Sequence, residues 1–474
     1  MNITKSIVVL MLIMSSLFSV SSLKAAPSAE QVEEMAYLTG LDAYTFGFPL
    51  VYMELLKYQH TNHYKNKVTP YHSLHDWFHN ITVLDHNWQE GGAPNIDTFY
   101  SSAWVDISKE PVILSHPDMG ERYFTFELAD YFSDNFDYVG MRATGSLAGH
   151  YALIGPNWKG KLPEGVKPLN RAVTDTIFVV GRTLYGKDDA DKKYAYELMK
   201  QYKLTPLSEW GKPKQDKPWL KAPKVAVEAL NPTSKPLGHW QSIFDALARF
   251  PTPEKHKAMI NMMANIGLKA GMNVEQDLDE ATKKGLARAA IDGFKKLKFL
   301  STKFGDRNNG WTVTAAEFGE AGMHGQYLMR AAQQSLAGIV ANNQEEAVYT
   351  YAATDVNGIP LEGDRAYKVH FTKEQLPPGK AFWSITNYTM KFNFVTNEWH
   401  KYNLGDRDKG LVYDENGGLT IYYSSTPPKD KESMPNWLPT PKNGNFFTVI
   451  RTYIPDEKVL NRTWKLPPLE PAIQ

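Results

Sequence analysis

The sequence predicts an α+β fold in which a helical segment separates two β-rich, sandwich-like domains. Short β-rich runs with Gly and Pro turns occupy residues 95–181, a helical pattern occupies residues 238–341, and β-rich runs return from residue 349. Strands, then helices, then strands favour separate α+β units over a doubly wound sheet. The expected units are an N-terminal β-rich domain with a leading helix, a helical segment and a C-terminal β-sandwich-like domain, at 26–225, 226–345 and 346–474.

The first predicted element after the N-terminal segment is a helix. Ser28 and Gln31 have the spacing of a capping box, and apolar residues follow at helical spacing from Met35 to Phe48. The strands expected in the N-terminal domain are Phe99–Ile107, Arg122–Leu128, Tyr138–Arg142, His150–Ile154 and Ala172–Val180.

A helix over Asp188–Leu204 and a Pro/Lys-rich connector over Gly211–Lys224 lead to the helical segment. Hairpin-type turns are expected at Asn357-Gly358 and Asn416-Gly417, because Asn-Gly readily adopts positive φ. The strands expected in the C-terminal domain are Tyr349–Thr354, Tyr367–Phe371, Phe382–Tyr388, Leu419–Ser424 and Phe446–Tyr453.

The composition excludes several kinds of site. The 474 residues include 52 Lys+Arg, 52 Asp+Glu and no cysteine. The even charge balance argues against a nucleic-acid partner, since phosphate backbones are bound by clustered basic residues. The lack of cysteine excludes thiol nucleophiles, zinc–thiolate sites and cysteine-held iron–sulfur clusters, so oxygen and nitrogen chemistry remains.

The N-terminus has the order of a secretory signal at residues 1–25. Lys5 precedes the mainly apolar run Ile7–Val20, and small residues end at Ala25 and Ala26. We therefore expect a periplasmic or secreted protein with no stable membrane insertion after cleavage. The alternative is a retained N-terminal anchor, although the run is shorter than the roughly 18 apolar residues of a spanning helix.

Four histidines form the first candidate constellation. His72, His75, His79 and His86 have spacings that would place imidazoles on one helical face as metal ligands. The segment begins like a loop, which favours surface or capping histidines instead.

Acidic residues form the second constellation. Asn95 and Asp97 precede a predicted strand, where their oxygens either brace a turn or contact a ligand. Glu127 is a lone carboxylate in an apolar strand, and buried carboxylates are usually paired or bind a cation. Arg142 is the expected partner, so the alternative to a functional site is a structural Glu127–Arg142 pair.

Several motifs resemble a known pair of domains. Asn95–Ser102, Arg122–Asn135 and Gly140–Pro156 are similar to domain-of-unknown-function family 1254, although Ile96 stands where that family often has a second Asn. The C-terminal part is similar to its usual tandem companion, family 1214. This resemblance covers nearly all of the mature chain and implies a secreted protein with two β domains, but no settled activity. The C-terminal motifs are Leu376–Pro378, Phe382–Ser384, Asn436–Pro439 and Arg451–Tyr453.

The last constellation lies in the C-terminal strands. Arg451 and Tyr453 are predicted to share one face of the final strand, and an arginine on an aromatic face suits a carboxylate or phosphate. The same arginine would serve equally as an interdomain strut. The Pro-rich stretch Pro427–Gly444 is either a lid over a cleft or a packed loop.

These residues predict a metal-dependent hydrolase of phosphoanhydride bonds, acting on a small-molecule or polyanionic substrate such as polyphosphate or a nucleotide. Asp97 and Glu127 are the expected ligands of Mg²⁺, with Ca²⁺ as the alternative ion, because hard cations prefer oxygen ligands. The catalytic candidates are Asp97, Glu127, Asp130 and Arg142. The substrate-binding candidates are Asn95, Tyr100, Asn135, Trp383, Asn387 and Arg451.

Two other functions fit parts of the pattern. A non-catalytic periplasmic binding protein would hold a glycan or apolar ligand against aromatic side chains between the β domains. A carbohydrate hydrolase would use Glu127 and Asp130 as its two carboxylates. Residues three apart in a strand point to opposite faces, which disfavours that second alternative.

The N-terminal pattern generates a direct prediction. Mass spectrometry of the protein exported by its native host should find a new N-terminus near Ala25. A membrane-bound product that keeps Met1 would contradict the signal-peptide interpretation.

Overall fold

The computed structural model describes residues 26–62, 72–89, 92–213, 220, 231–250, 252–301, 305–313, 327–337 and 340–472. The predicted signal at 1–25 and much of the connector predicted after Gly211 lie outside these residues.

The described residues form helices and strands in alternating blocks. The helices are α1 (Ala29–Thr61), α2 (Asp189–Met199), α3 (Pro236–Arg249), α4 (Lys257–Ala264), α5 (Val274–Asp277), α6 (Glu280–Leu300), α7 (Tyr327–Met329), a π-helical continuation at Arg330–Ala337, and α8 (Glu457–Leu460), with 3₁₀ turns at Leu207–Glu209 and Glu254–His256. The strands are β1 (Phe78–Asn80), β2 (Thr98–Asp106), β3 (Val112–His116), β4 (Phe124–Ala129), β5 (Asn135–Gly140), β6 (Gly149–Leu153), β7 (Lys167–Pro168), β8 (Thr176–Leu184), β9 (Lys203–Pro206), β10 (Asp306–Asn308), β11 (Trp311–Val313), β12 (Ala347–Ala352), β13 (Ala366–Phe371), β14 (Gly379–Thr389), β15 (Asn403–Gly405), β16 (Leu419–Ser424), β17 (Trp437–Pro439), β18 (Phe446–Pro455) and β19 (Glu470–Ala472).

Two sheets build the N-terminal β region. The first has the strand order β1-β2-β8-β4-β5 and is antiparallel throughout, and the second has the order β7-β6-β3-β9. Their shared core includes Phe99, Leu114, Phe126 and Leu153, and α2 contributes Leu198. One face of the first sheet therefore packs in this core, and its other face can pack against the rest of the chain.

Two further sheets build the C-terminal β region, with the orders β10-β11-β12-β18-β14-β15 and β17-β16-β13-β19. Their shared core includes Trp311, Val369, Ile385, Ile421 and Ile450. The hairpin β10-β11 comes from the stretch that the sequence predicts to be helical, yet it pairs with β12. Short strands of this kind lack the run of alternating residues by which a strand is recognised from sequence.

The helices form a layer of their own around α1. Ser28 caps α1 in the predicted capping box, with reciprocal hydrogen bonds to Gln31. The apolar residues of α1 pack with α3 and α6 and reach the first sheet through Trp104 and Phe178. Because α1 lies against helices from the middle of the chain, it belongs to the helical layer as much as to the N-terminal strands.

The α+β fold is as predicted, with a helical segment between β-rich regions. The helix expected over Asp188–Leu204 is shorter, because α2 ends at Met199 and the chain continues as the edge strand β9. No helix in the described part of the chain is long and apolar enough to cross a membrane.

The contact between α1 and α6 depends on glycine. A Cβ atom on Gly285 would lie 2.3 Å from the carbonyl oxygen of Glu33 and 2.7 Å from Cβ of Ala36. Gly285→Ala should therefore lower the free energy of unfolding by about 1–3 kcal/mol through overpacking, measured by urea denaturation. The adjacent exposed position supplies the control, Lys284→Ala, which should change stability little. Equal stability of the two variants would contradict close packing of these helices.

Candidate functional site

The candidate site lies where the free face of the first sheet meets the six-stranded sheet. Tyr100 of β2 stands beside Arg182 of β8 in register, and Glu127 of β4 stands beside Val180 on the same face. From the opposite sheet, Tyr453 accepts a hydrogen bond of 2.9 Å from Asn95. We call the following residues the interdomain layer: Tyr100, Glu127, Arg182, Tyr349, Arg451 and Tyr453.

Tyr349 connects the two sides of this layer. Burial raises the pKa of Tyr349, while the positive charges of Arg182 and Arg451 act in the opposite direction. The charge of one arginine from each sheet therefore acts on this hydroxyl. Tyr100 and Tyr349 both keep part of their surface accessible although each lies in an interior strand of its sheet. Neither ring is therefore completely enclosed by protein atoms.

Glu127 and Arg182 form the charged centre of the layer. Nη1 of Arg182 donates to Oε2 of Glu127 at 2.8 Å, and Nδ2 of Asn135 donates to Oε1 at 2.7 Å. Burial raises the pKa of Glu127 to about 7, even though Arg182 and Asn135 favour the charged form. A carboxyl group that titrates near neutrality can accept or donate a proton at physiological pH.

The predicted Glu127–Arg142 pair is wrong. Arg142 follows the end of β5, where Nε donates to Glu346 at 2.6 Å and the guanidinium lies over the ring of Tyr138. Arg182 pairs with Glu127 instead, because β8 lies next to β4 and the two residues are diagonal neighbours on one face. Arg142 thus ties β5 to the start of the C-terminal domain.

Arg182 has an unused hydrogen-bonding edge. Nη1 donates to Glu127 and to Oδ1 of Asn342, whereas Nε has no partner and Nη2 makes no hydrogen bond within the described residues. The side chain is 5% exposed, and its Cζ atom lies 5.6 Å from the ring centre of Tyr100. Nε and Nη2 together form the fork that binds a carboxylate or phosphate through two parallel hydrogen bonds.

Other polar atoms near this edge also lack partners. Thr125 of β4 lies directly opposite Arg182 of β8. Its buried hydroxyl makes no hydrogen bond within the described ranges. Nδ2 of Asn342 also has no hydrogen-bond partner there, although Oδ1 of the same residue accepts from Arg182. The hydroxyl of Ser102, two residues after Tyr100, has none either. Buried polar atoms are seldom left unpaired in native proteins, so a local group of them indicates a place for a ligand or water.

Asn95 and Asp97 join the domains at the mouth of β2. Oδ1 of Asn95 accepts from the backbone N–H of Asp97 at 2.7 Å, which is the turn-bracing alternative. Its Nδ2 reaches Tyr453 and, at 3.3 Å, Tyr100. Asn95 therefore both braces the turn and positions two tyrosines of the interdomain layer.

Asp97 is saturated by donors from the C-terminal domain. Oδ1 accepts from Arg407 at 2.5 Å and Asn403 at 2.9 Å, and Oδ2 accepts from Ser384 at 2.6 Å. Glu127 is likewise held by Arg182 and Asn135. Each of these two carboxylates is thus paired with its own arginine. Within the described ranges no three acidic or histidine side chains are grouped to hold a metal ion. The magnesium requirement stays a prediction from the sequence.

Asp130 lies outside the interdomain layer, at the buried tip of the β4–β5 hairpin. Its Oδ1 accepts from the backbone N–H of Asp134 at 3.1 Å. Asp134 in turn pairs with Lys255 at 2.5 Å and with Arg330 at 3.1 Å. Burial and the charge of Asp134 raise the pKa of Asp130 to about 7. This tip anchors the first sheet in the helical layer.

Three candidates from the C-terminal strands have structural contacts. Nη2 of Arg451 donates to the carbonyl of Ala93 at 2.9 Å and to Tyr388 at 2.7 Å, so the arginine acts as an interdomain strut. Trp383 packs in the C-terminal core, and Asn387 donates to the carbonyl of Pro439 at 2.9 Å. The Pro427–Gly444 stretch contains β17 and a fully buried Trp437, as expected for a packed segment.

The four histidines occupy separate surroundings. His79 lies in β1, with Nδ1 2.8 Å from the hydroxyl of Ser101, and Nδ1 of His86 lies 2.6 Å from the hydroxyl of Tyr402. His72 contacts the carbonyl of Ser73, and His75 accepts from the backbone of Asp106. They do not share a helical face, because the described part of the segment is a loop followed by a strand.

A cavity of about 340 Å³ lies where β8 ends and α2 begins. It is lined by Leu184–Asp188, Arg122, Asp191 and Arg407. Arg122 pairs with Asp191, Lys187 with Asp408, and Arg407 with Asp97, so the three cations around this cavity are already paired within the protein.

Sequence reasoning missed Arg182, Tyr349 and Asn342. The signal for Arg182 was present, since it is the lone cation in the apolar run Thr176–Leu184, as Glu127 is the lone anion in its strand. Tyr349 carries no comparable signal, because tyrosine is common in strands. Asn342 lies in a loop, and its approach to Arg182 depends on long-range packing.

Comparison with known families identifies both β regions. Residues 77–206 match the model described as Protein of unknown function (DUF1254), and residues 346–457 match Protein of unknown function (DUF1214). The chain belongs to the DUF1254–DUF1214 tandem family. The resemblance seen in the sequence is thereby confirmed. In the interdomain layer, Tyr100, Glu127 and Arg182 come from the DUF1254 match, and Tyr349, Arg451 and Tyr453 come from the DUF1214 match.

One solved structure supports the fold of this tandem protein. The VPA0106 protein from Vibrio parahaemolyticus is similar, with a TM-score of 0.69 and 22% identity over 92% of this chain and 100% of that chain. A putative uncharacterized protein from Burkholderia cenocepacia has a TM-score of 0.44 and 12% identity over 94% of this chain and 99% of that chain. None of the curated proteins compared with the chain matches it.

The buried Glu127 should make stability depend on pH. Its pKa is raised from 4.5 to about 7, so its stabilising contribution is full below about pH 4.5 and is lost as the pH rises through 7. Relative to Glu127→Gln, the wild type should lose on the order of 3 kcal/mol of unfolding free energy between pH 5 and 8. Urea denaturation at both pH values measures this difference.

The exposed Glu345 supplies the control for this experiment. Glu345→Gln should keep the wild-type pH dependence. A constant stability difference between wild type and Glu127→Gln across this range would show that Glu127 does not titrate near neutrality.

Proposed function

We propose that the protein is a secreted or periplasmic binding protein that holds a small anionic molecule between its two β domains, with Arg182 as the anchor. The open Nε–Nη2 edge of Arg182 carries this proposal. A guanidinium buried to this degree normally has all its N–H groups paired, and leaving them unpaired costs more than a typical hydrogen bond gains. An anion at this edge satisfies them with bidentate geometry.

The surroundings of Arg182 support an anionic ligand over an uncharged glycan. Thr125 and Asn342, which neighbour Arg182, add donor groups that are unpaired within the described residues. The Arg182 guanidinium also makes a cation–π contact with Tyr100, which lies beside it in β2. The partly accessible rings of Tyr100 and Tyr349 supply flat surfaces for the rest of the ligand.

Hydrolysis of a phosphoanhydride is the second candidate, and the raised pKa of Glu127 favours it. In that reaction Arg182 holds a phosphate group, and Glu127 accepts a proton from a water molecule that attacks the terminal phosphorus. The bond from that phosphorus to the bridging oxygen then breaks, and the shortened phosphate leaves. A general base near neutrality contributes about 10²–10⁴-fold to such a step.

Calorimetric titration tests the binding proposal, with sodium benzoate and inorganic phosphate as probes. The double variant Arg182→Met/Glu127→Gln removes the anchor without leaving a buried charge unpaired. It should bind the better probe at least about tenfold more weakly than wild type, since a charged hydrogen bond contributes about 1.5–3 kcal/mol. The single variant Glu127→Gln keeps the arginine edge and should still bind.

Wild type and the same variants also test whether the protein hydrolyses phosphoanhydrides. Phosphate release from tripolyphosphate with Mg²⁺, its loss with EDTA and its loss in Glu127→Gln would support hydrolysis. Thermal melts should accompany these assays, because an altered buried pair also changes stability.

Undiminished binding of both probes by the double variant would refute Arg182 as the anchor.

A further inference from the structure

We propose that His86, His400 and Tyr402 form a site for a divalent metal ion, Cu²⁺ or Zn²⁺, that joins the two β domains. His86 belongs to the DUF1254 match, whereas His400 and Tyr402 belong to the DUF1214 match. The site is separate from the Arg182 site, and the proposal does not depend on anion binding there.

Three donor atoms from the two domains come together here. Nδ1 of His86 lies 2.6 Å from the hydroxyl oxygen of Tyr402, and Nδ1 of His400 lies 3.3 Å from the same oxygen. Within the described ranges no third acidic or histidine side chain joins them, so Tyr402 supplies the third donor. Imidazole nitrogens with an oxygen donor suit Cu²⁺ and Zn²⁺.

The two histidine rings have the spacing of imidazoles that share one ion. Their centres lie 5.5 Å apart, and their planes differ by 25°. A metal–nitrogen bond of about 2.0–2.1 Å places each ring centre roughly 3.2 Å from the ion, so two rings at a tetrahedral angle have centres roughly 5.2 Å apart. Donor atoms on such an ion lie roughly 3.3 Å apart, which is the separation between His400 and Tyr402. A small rotation of the half-buried His86 ring gives its Nδ1 the same separation.

The surroundings allow an ion to enter from solvent. His400 is exposed and His86 is half-buried. Lys401 lies between His400 and Tyr402 in the chain, but its Nζ donates to the carbonyls of Met434 and Pro435. His400 also has a φ of 49°, a left-handed conformation that is uncommon outside glycine and is often kept at functional sites.

The protons of the three groups can be accounted for. Burial raises the pKa of Tyr402, so without an ion its hydroxyl keeps its proton. Both contacts are hydrogen bonds when this proton is donated to one Nδ1 and the other Nδ1 donates to the tyrosine oxygen. On binding, the tyrosine O–H bond breaks, an oxygen–metal bond forms and the proton passes to solvent. The donating imidazole carries its proton on Nε2 instead, which leaves both Nδ1 lone pairs for the ion.

Calorimetric titration of the tag-free protein with CuCl₂ and with ZnCl₂ tests the site. His86→Gln and His400→Gln should each weaken binding at least about tenfold, because loss of a group that merely orients a ligand already costs about 10–100-fold. The exposed His370 supplies the control, since its Nδ1 also lies near a hydroxyl, 2.9 Å from that of Thr420. His370→Gln should bind both ions like wild type.

Two further measurements separate a metal site from a contact made only of hydrogen bonds. Wild type with Cu²⁺ should show the visible charge-transfer absorption of a copper–phenolate bond, and Tyr402→Phe should lack it. Zn²⁺ should raise the thermal midpoint of wild type more than that of His400→Gln, because an ion that binds the native state stabilises it. Melts without metal establish that each variant is folded.

Several results would overturn the proposal. They are the absence of Cu²⁺ and Zn²⁺ binding by wild type, wild-type affinity in both folded histidine variants, and an absorption band that persists in Tyr402→Phe. Binding of benzoate or phosphate at Arg182 is measured separately, so failure of the metal site leaves the proposed function untouched.

Discussion

The ion pair between Glu127 and Arg182 is the constraint around which the two β domains are arranged. Both side chains are almost fully buried where two sheets face each other, and each buried charge requires partners with good geometry. Asn135 and Asn342 supply some of these partners from β5 and from the loop before β12. The carboxylate of Asp97 is held entirely by donors from the C-terminal domain, and Arg451 donates across the interface to the carbonyl of Ala93. The interface is therefore specified by polar contacts and not only by apolar area.

Much of the fold could be predicted because long elements carry clear local patterns. The capping box at Ser28 and the alternating strands around Glu127 and Arg451 lie where the sequence places them. Short strands such as β10 and β15 have only three residues each, too few to display a period. These short segments become strands because a neighbouring strand hydrogen-bonds to them. The local sequence does not show which strand that will be.

The site was only partly predictable for a related reason. Asn95, Tyr100 and Glu127 are polar interruptions of an apolar pattern, so the sequence marks them as unusual, and all three contribute to the interdomain layer. Which arginine pairs with Glu127 depends on strand order, and β8 inserts between β2 and β4 only in the folded sheet. Arg142 is nearer in sequence, yet it pairs with Glu346. Proximity along the chain is a poor guide to pairing in a sheet with long connections.

The position of α1 has a consequence for biogenesis. This first helix packs against α6, whose residues are synthesised more than two hundred positions later, so its apolar surface has no permanent cover while the intervening chain emerges. The hairpin β10-β11 likewise precedes the strand with which it pairs. A chain interleaved in this way cannot complete one domain before the next, and its folding requires late closure of long loops. Such a chain leaves apolar surface exposed for longer during synthesis than a chain built from sequential, self-contained modules.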